Sequence, residues 1–134
     1  MEKKGLYGVA LALLTLWEYV LGGLVAFDDP SNLGFSVFDV STKWPLVLPF
    51  VHRVFALVLL AASGLALYGL RGDKAGRYAA YMFGLVVSEA LVGLLMVSKP
   101  TDAFDPALIV VHFSLSGLVV AASAFTLFYS MKAQ

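Results

Sequence analysis

Four long apolar stretches leave this chain few folds to choose from: roughly Gly5 to Ala26, Leu46 to Leu70, Arg77 to Val97 and Pro106 to Met131. At about 1.5 Å of rise per helical residue, each can cross a hydrocarbon core of about 30 Å. A backbone inside lipid has to satisfy its own N–H and C=O groups, and a helix does so within one segment. The expected fold is therefore all-α: an integral membrane four-helix bundle forming one domain over residues 1–134. Short connections make neighbouring helices antiparallel. The balance of 60% hydrophobic and 13% charged residues agrees.

Lys3 and Lys4 ahead of the first stretch resemble the start of a signal peptide, but the stretch is too long for that. Glu18 also interrupts it without a small-residue cleavage pattern after it, so it is read as a helix of the mature protein. The absence of cysteine excludes disulfides, thiolate-bound zinc, iron–sulfur clusters and covalent c-type haem attachment. A formal net charge of +0 argues against a nucleic-acid partner. Lys3, Lys4, Arg71, Lys74, Arg77 and Lys132 all fall on one side of the expected topology. By the positive-inside rule that side is cytoplasmic, which puts both termini inside. Lys43 and Lys99 fall on the other side, among Asp28, Asp29, Asp39, Asp102 and Asp105.

The halves of the chain echo one another. Helix one carries Glu18 followed by Leu21-Gly22-Gly23, and helix three carries Glu89 with Gly93 four residues on. Tyr7 and Tyr78 each stand eleven residues before their glutamate, close to three helical turns, so each pair shares a face. Helix two runs from His52 to Ala61-Ala62-Ser63, and helix four from His112 to Ala121-Ala122-Ser123. Tyr68 and Tyr129 close these two helices with the offset slipped by one. The reading is two helix hairpins related by an axis along the membrane normal. The first outer connection, Phe27 to Pro45, contains Phe27, Phe35, Phe38 and Trp44, which suits either a lid or an interfacial anchor. Pro45 and Pro106 fit the first turns of helices two and four, with Asp105 as an N-cap.

His52 and His112 each lie about six residues into their helices, at one depth of roughly 9 Å. On diagonally opposed helices their imidazoles can meet in the bundle core, as axial ligation of a haem requires. Arg53 stands beside His52 at the water edge, where haem propionates need cations. Interhelical hydrogen bonding is the other role open to such histidines. Glu18 and Glu89 lie roughly 12 Å deep, where a carboxylic acid is protonated or paired. Proton relay, orientation of a histidine's second nitrogen and helix–helix adhesion are all open to them.

These residues resemble the heme A synthase family, built from two four-helix halves with a histidine on the second and fourth helix of each. The family's His-Arg followed by Ala is similar to His52-Arg53-Val54-Phe55-Ala56. Its polar residue before Leu-Gly-Gly is similar to Glu18-Tyr19-Val20-Leu21-Gly22-Gly23, with Glu89 to Gly93 a looser counterpart. Its outer-loop Trp-Pro is similar to Trp44-Pro45, and His112 fits the fourth-helix ligand. The chain is half the usual family length, like compact archaeal members, and the resemblance implies pairing with a second copy into an eight-helix homodimer.

The resemblance implies haem b held by His52 and His112, with Arg53 nearby, and heme A biosynthesis for a respiratory chain. The activity would be oxidation of the heme O methyl group to the formyl of heme A, with Glu18 and Glu89 the candidate catalytic residues. On the same resemblance, heme O would be the haem substrate, a respiratory oxidase or heme O synthase would be a partner, and the site would lie near the outer face of a multi-pass cell-membrane protein. Two features depart from the family: Pro49 stands where oxidising halves have a glutamate, and the outer-loop cysteine pair of some members is missing. Pro49 favours the alternative of a non-catalytic b-type haem subunit for electron transfer or oxidase assembly. A haem-free structural or proton-handling bundle is the third reading.

Overall fold

The computed structural model describes residues 3–27, 47–97 and 105–132. They form four helices packed as a bundle: α1 (Lys3–Phe27), α2 (Val47–Gly69), α3 (Lys74–Val97) and α4 (Pro106–Lys132). All four are long and apolar enough to span a membrane. The outer connections, including Lys43, Trp44, Pro45 and Lys99, lie outside the described residues.

The buried positions follow a three-four spacing. Leu59, Ser63, Ala66 and Leu70 line one seam, and Ala75, Ala79, Met82 and Val86 a second. Val119, Ser123, Thr126 and Ser130 line a third, and Leu11, Thr15 and Glu18 a fourth. A repeat averaging 3.5 residues keeps a seam facing its neighbours along the whole helix, as in left-handed bundles. Small and hydroxyl-bearing residues dominate these seams, while Leu13, Leu57, Leu65 and Val110 stand out on the surface at 63–67% exposure. Lipid is as apolar as leucine, so burying leucine does not draw the helices together; close approach of small residues does. Gly8 shows this most directly: a Cβ there would lie 2.9 Å from the Leu127 Cα and against the Ser130 side chain.

Contacts join the start of α1 to the ends of α2 and α4, so neighbours run in opposite directions. Lys4 pairs with Asp73 at 2.7 Å, and the Tyr7 ring lies over Gly69. The α2–α3 turn occupies residues 70–73, with Gly72 at a φ of 91° that side chains rarely adopt. α3 begins at Lys74, three residues before the expected Arg77. A cation marks the edge of the hydrocarbon, whereas the helix itself continues into the headgroup region. Asp105 does cap α4, its Oδ1 accepting the Ala107 N–H at 3.0 Å ahead of Pro106.

The match between the ends of α2 and α4 differs from the Tyr68/Tyr129 pairing. Tyr129 stacks on Tyr78 with ring centroids 5.0 Å apart, and the residue 60 positions earlier is Gly69, under Tyr7. One aromatic from α1 and two from α3 and α4 fill equivalent gaps, so a glycine replaces a tyrosine without leaving a hole. Tyr68 instead matches Phe128: both are exposed, with Arg71 and Lys132 respectively 4.3 Å above their rings.

Gly8→Ala should destabilise the bundle by about 1–3 kcal/mol, because the methyl group meets backbone that cannot give way. Gly23→Ala, where a Cβ meets nothing within 4 Å, is the control. Thermal unfolding in detergent should show a drop of several degrees for the first variant and none for the second.

Candidate functional site

Continued along α2 and α4, the three-four spacing reaches Ala56 and His52 on one helix and Ser116 and His112 on the other. On α1 and α3 it reaches Glu18 and Gly22, and Glu89 and Gly93. The seams therefore aim both histidines inward, where their ring centroids lie 6.4 Å apart with planes crossed at 87°.

Each ring rests on a glycine of the helix beside it. A Cβ on Gly22 would sit 3.3 Å from His52 Cε1, and one on Gly93 would sit 3.4 Å from His112 Cε1. A Cβ at Gly22 would crowd its imidazole by a few tenths of an ångström, and one at Gly93 would come into contact with its ring. Both Nδ1 atoms are buried on this side without a hydrogen-bond partner.

The two rings border a cavity of about 270 Å³, near the lower end of the roughly 300–1,000 Å³ usual for ligand pockets. Its walls repeat: Pro49, His52 and Arg53 of α2 answer to Ile109, His112 and Phe113 of α4, 60 positions later. Gly22, Val25 and Ala26 of α1 answer to Gly93, Met96 and Val97 of α3, 71 positions later. The walls are apolar except for the imidazoles, Arg53 and the Tyr19 hydroxyl. Lys3, Lys4, Arg71, Lys74, Arg77 and Lys132 gather at the far end of the bundle, so among the described residues Arg53 is the cation placed at the cavity.

Glu18 and Glu89 do not line the cavity; they stand behind the histidines, and in different ways. Glu18 is buried, with Oε1 2.9 Å from His52 Nδ1 but off the line of a ring N–H, and Oε2 has no partner. The Glu89 carboxylate instead accepts the Ser116 hydroxyl, which also lies 3.1 Å from the His112 carbonyl. The residue 60 positions before Ser116 is Ala56, which has no hydroxyl to offer Glu18. One missing oxygen thus turns Glu18 toward its histidine while Glu89 is held off. Ser116 was not among the sequence candidates. Its signal is its place one turn past His112, in the seam facing α3.

The serines farther along behave alike. Ser63 and Ser123 are buried and donate to the Leu60 and Val120 carbonyls at 2.8 Å, closing each helix on itself. Trp17 lies outside the cavity against Phe55, with ring centroids 6.3 Å apart.

No cluster of three or more His, Cys, Asp or Glu side chains suited to a metal ion occurs among the described residues. A zinc site takes three or four protein ligands, so two imidazoles alone do not build one. They do suit an iron whose equatorial positions a macrocycle already fills. Nitrogens about 2 Å from one first-row metal, each about 1.1 Å from its ring centroid, set the centroids about 6.3 Å apart. The observed 6.4 Å fits that span.

Compared with known proteins, the chain matches no family model, no curated protein and no solved structure.

Ser116→Ala should lower stability by about 1–3 kcal/mol, since it strips a partly buried carboxyl group of its partner. Ala56→Ser should act in the opposite sense by giving Glu18 the hydroxyl it lacks. Unfolding midpoints moving in the same direction for both variants would contradict this account of the two glutamates.

Proposed function

We propose that the chain is a membrane haem protein, holding one b-type haem between His52 and His112, with Arg53 serving its propionates. The observation that carries this reading is the pair of inward-facing imidazoles 6.4 Å apart, with no cluster of three metal-ligating side chains among the described residues. Two imidazoles alone do not complete a metal site, and a porphyrin would supply four further nitrogens. An iron porphyrin in this position offers one-electron chemistry at the metal.

The chain's own residues bind and orient. Gly22 and Gly93 leave room for the imidazole edges against α1 and α3, Glu18 stands 2.9 Å behind His52, and the mostly apolar walls would surround a bound group. Arg53 supplies the positive charge in an otherwise apolar wall.

The repeated walls support two hairpin repeats about a central axis. The gathering of six cations at the opposite end supports cytoplasmic termini and a haem site near the outer face of the cell membrane. On its resemblance, the activity we propose is that of a heme A synthase, oxidising the heme O methyl group to the formyl of heme A, with a second copy completing an eight-helix unit.

Pro49 favours a second reading. It lines the cavity where a family glutamate would stand, and neither Glu18 nor Glu89 reaches the cavity in its place. Such a wall would suit an electron-carrying or assembly subunit of a respiratory oxidase.

The reduced wild-type protein should give a sharp low-spin b-type absorption spectrum. His52→Ala and His112→Ala should each convert it to a high-spin form or lose the pigment. A wild type that remains colourless after haem is added would end the haem reading. Pigment extracted from a host that makes heme O then separates the two activities: heme A marks the synthase, and its absence beside a loaded protein marks the carrier.

A further inference from the structure

At the far end of the bundle from the histidines, the α2–α3 turn borders a second cavity, of about 470 Å³. Arg71, Lys74 and Arg77 stand around it, over an apolar floor that includes Leu67 and Ala80. Asp73 lines it too, but Lys4 pairs with that carboxylate at 2.7 Å, so the three cations leave the space net positive. Aromatic faces hold two of the cations: Arg71 lies 4.3 Å above Tyr68, and the Lys74 Nζ lies 5.9 Å from the Tyr129 centroid.

A ring face attracts a cation through its quadrupole, which carries no net charge. These contacts therefore position the cations while leaving their charge uncancelled. The first turn of α3 starts in the same place and adds the positive end of its helix dipole. The turn is tight: Gly72 has a φ of 91°, and a Cβ on Gly76 would lie 2.9 Å from the Leu70 carbonyl carbon. Tyrosines such as Tyr68 and Tyr81, exposed at this end, belong at the level of lipid headgroups.

We infer that this turn binds the phosphate group of an anionic phospholipid. Arg71, Lys74 and Arg77 meet the phosphate oxygens, and Leu67 and Ala80 meet the apolar part that follows. Free inorganic phosphate shares the charge but has nothing to place on that floor. The assignment is independent of what the histidines hold.

The test uses the full chain in a neutral detergent, with short-chain phosphatidylglycerol, phosphatidylcholine or inorganic phosphate added. Arg71→Gln/Arg77→Gln is compared with Lys3→Gln/Lys132→Gln, which removes the same charge at the same end; all four side chains are exposed, so both proteins should fold. Native mass spectrometry should show a one-to-one phosphatidylglycerol adduct on wild type and on the lysine variant. That adduct should weaken about tenfold or more in the arginine variant, equivalent to about 1.4 kcal/mol. Phosphatidylglycerol should also raise the unfolding temperature of the first two proteins and not of the third. Equal losses in both variants would reduce the effect to general attraction and overturn the site. Full protection by inorganic phosphate alone would overturn the lipid assignment.

Discussion

Inside a bilayer, hydrocarbon rewards a leucine equally on either side of a helix, so close packing and polar contacts decide which faces meet. This constraint organises the bundle. Small residues and hydroxyl groups share the seams with a few large side chains such as Leu11, Leu70 and Met82, and many other large apolar side chains face outward. The same three-four spacing that brings alanines and serines together also carries both histidines inward. Packing and site are two parts of one pattern.

The two halves use that pattern with a consistent variation. Glycine supports imidazole twice, a glutamate stands at the matching place on each neighbouring helix, and a serine closes each helix lower down. The differences concentrate around the cavity: Arg53 against Phe113, Pro49 against Ile109, and Ala56 against Ser116. One imidazole consequently has a carboxylate 2.9 Å behind it, while behind the other the carboxylate is taken by a hydroxyl. The two histidines are alike in position and unlike in surroundings, which gives the faces of anything bound between them different electrostatic support.

Much of the fold was legible in the sequence because uninterrupted apolar runs leave a membrane chain little alternative to helices. The matched depth of His52 and His112, and Asp105 ahead of Pro106, were legible for the same local reason. The start of α3 was not, since charge marks a solvent boundary while helix geometry carries on through it. The correspondence of Tyr129 with Gly69 was hidden because the Tyr7 ring from another helix fills the gap above that glycine. Ser116 was hidden because a serine in a membrane helix commonly bonds its own backbone. Only the approach of Glu89 from α3 distinguishes it.

The contacts described between helices also divide the bundle lengthwise. At the end holding Lys4 and Asp73, an ion pair, stacked tyrosines and a glycine pressed against α4 clasp the helices together. At the other end the same helices border the apolar space beside the histidines, and the contacts that cross between them there include Glu18 to His52, Ser116 to Glu89 and Trp17 against Phe55. An occupant needing more room than about 270 Å³ would have to loosen these crossings, while the ion pair and stacked rings at the far end stay in place.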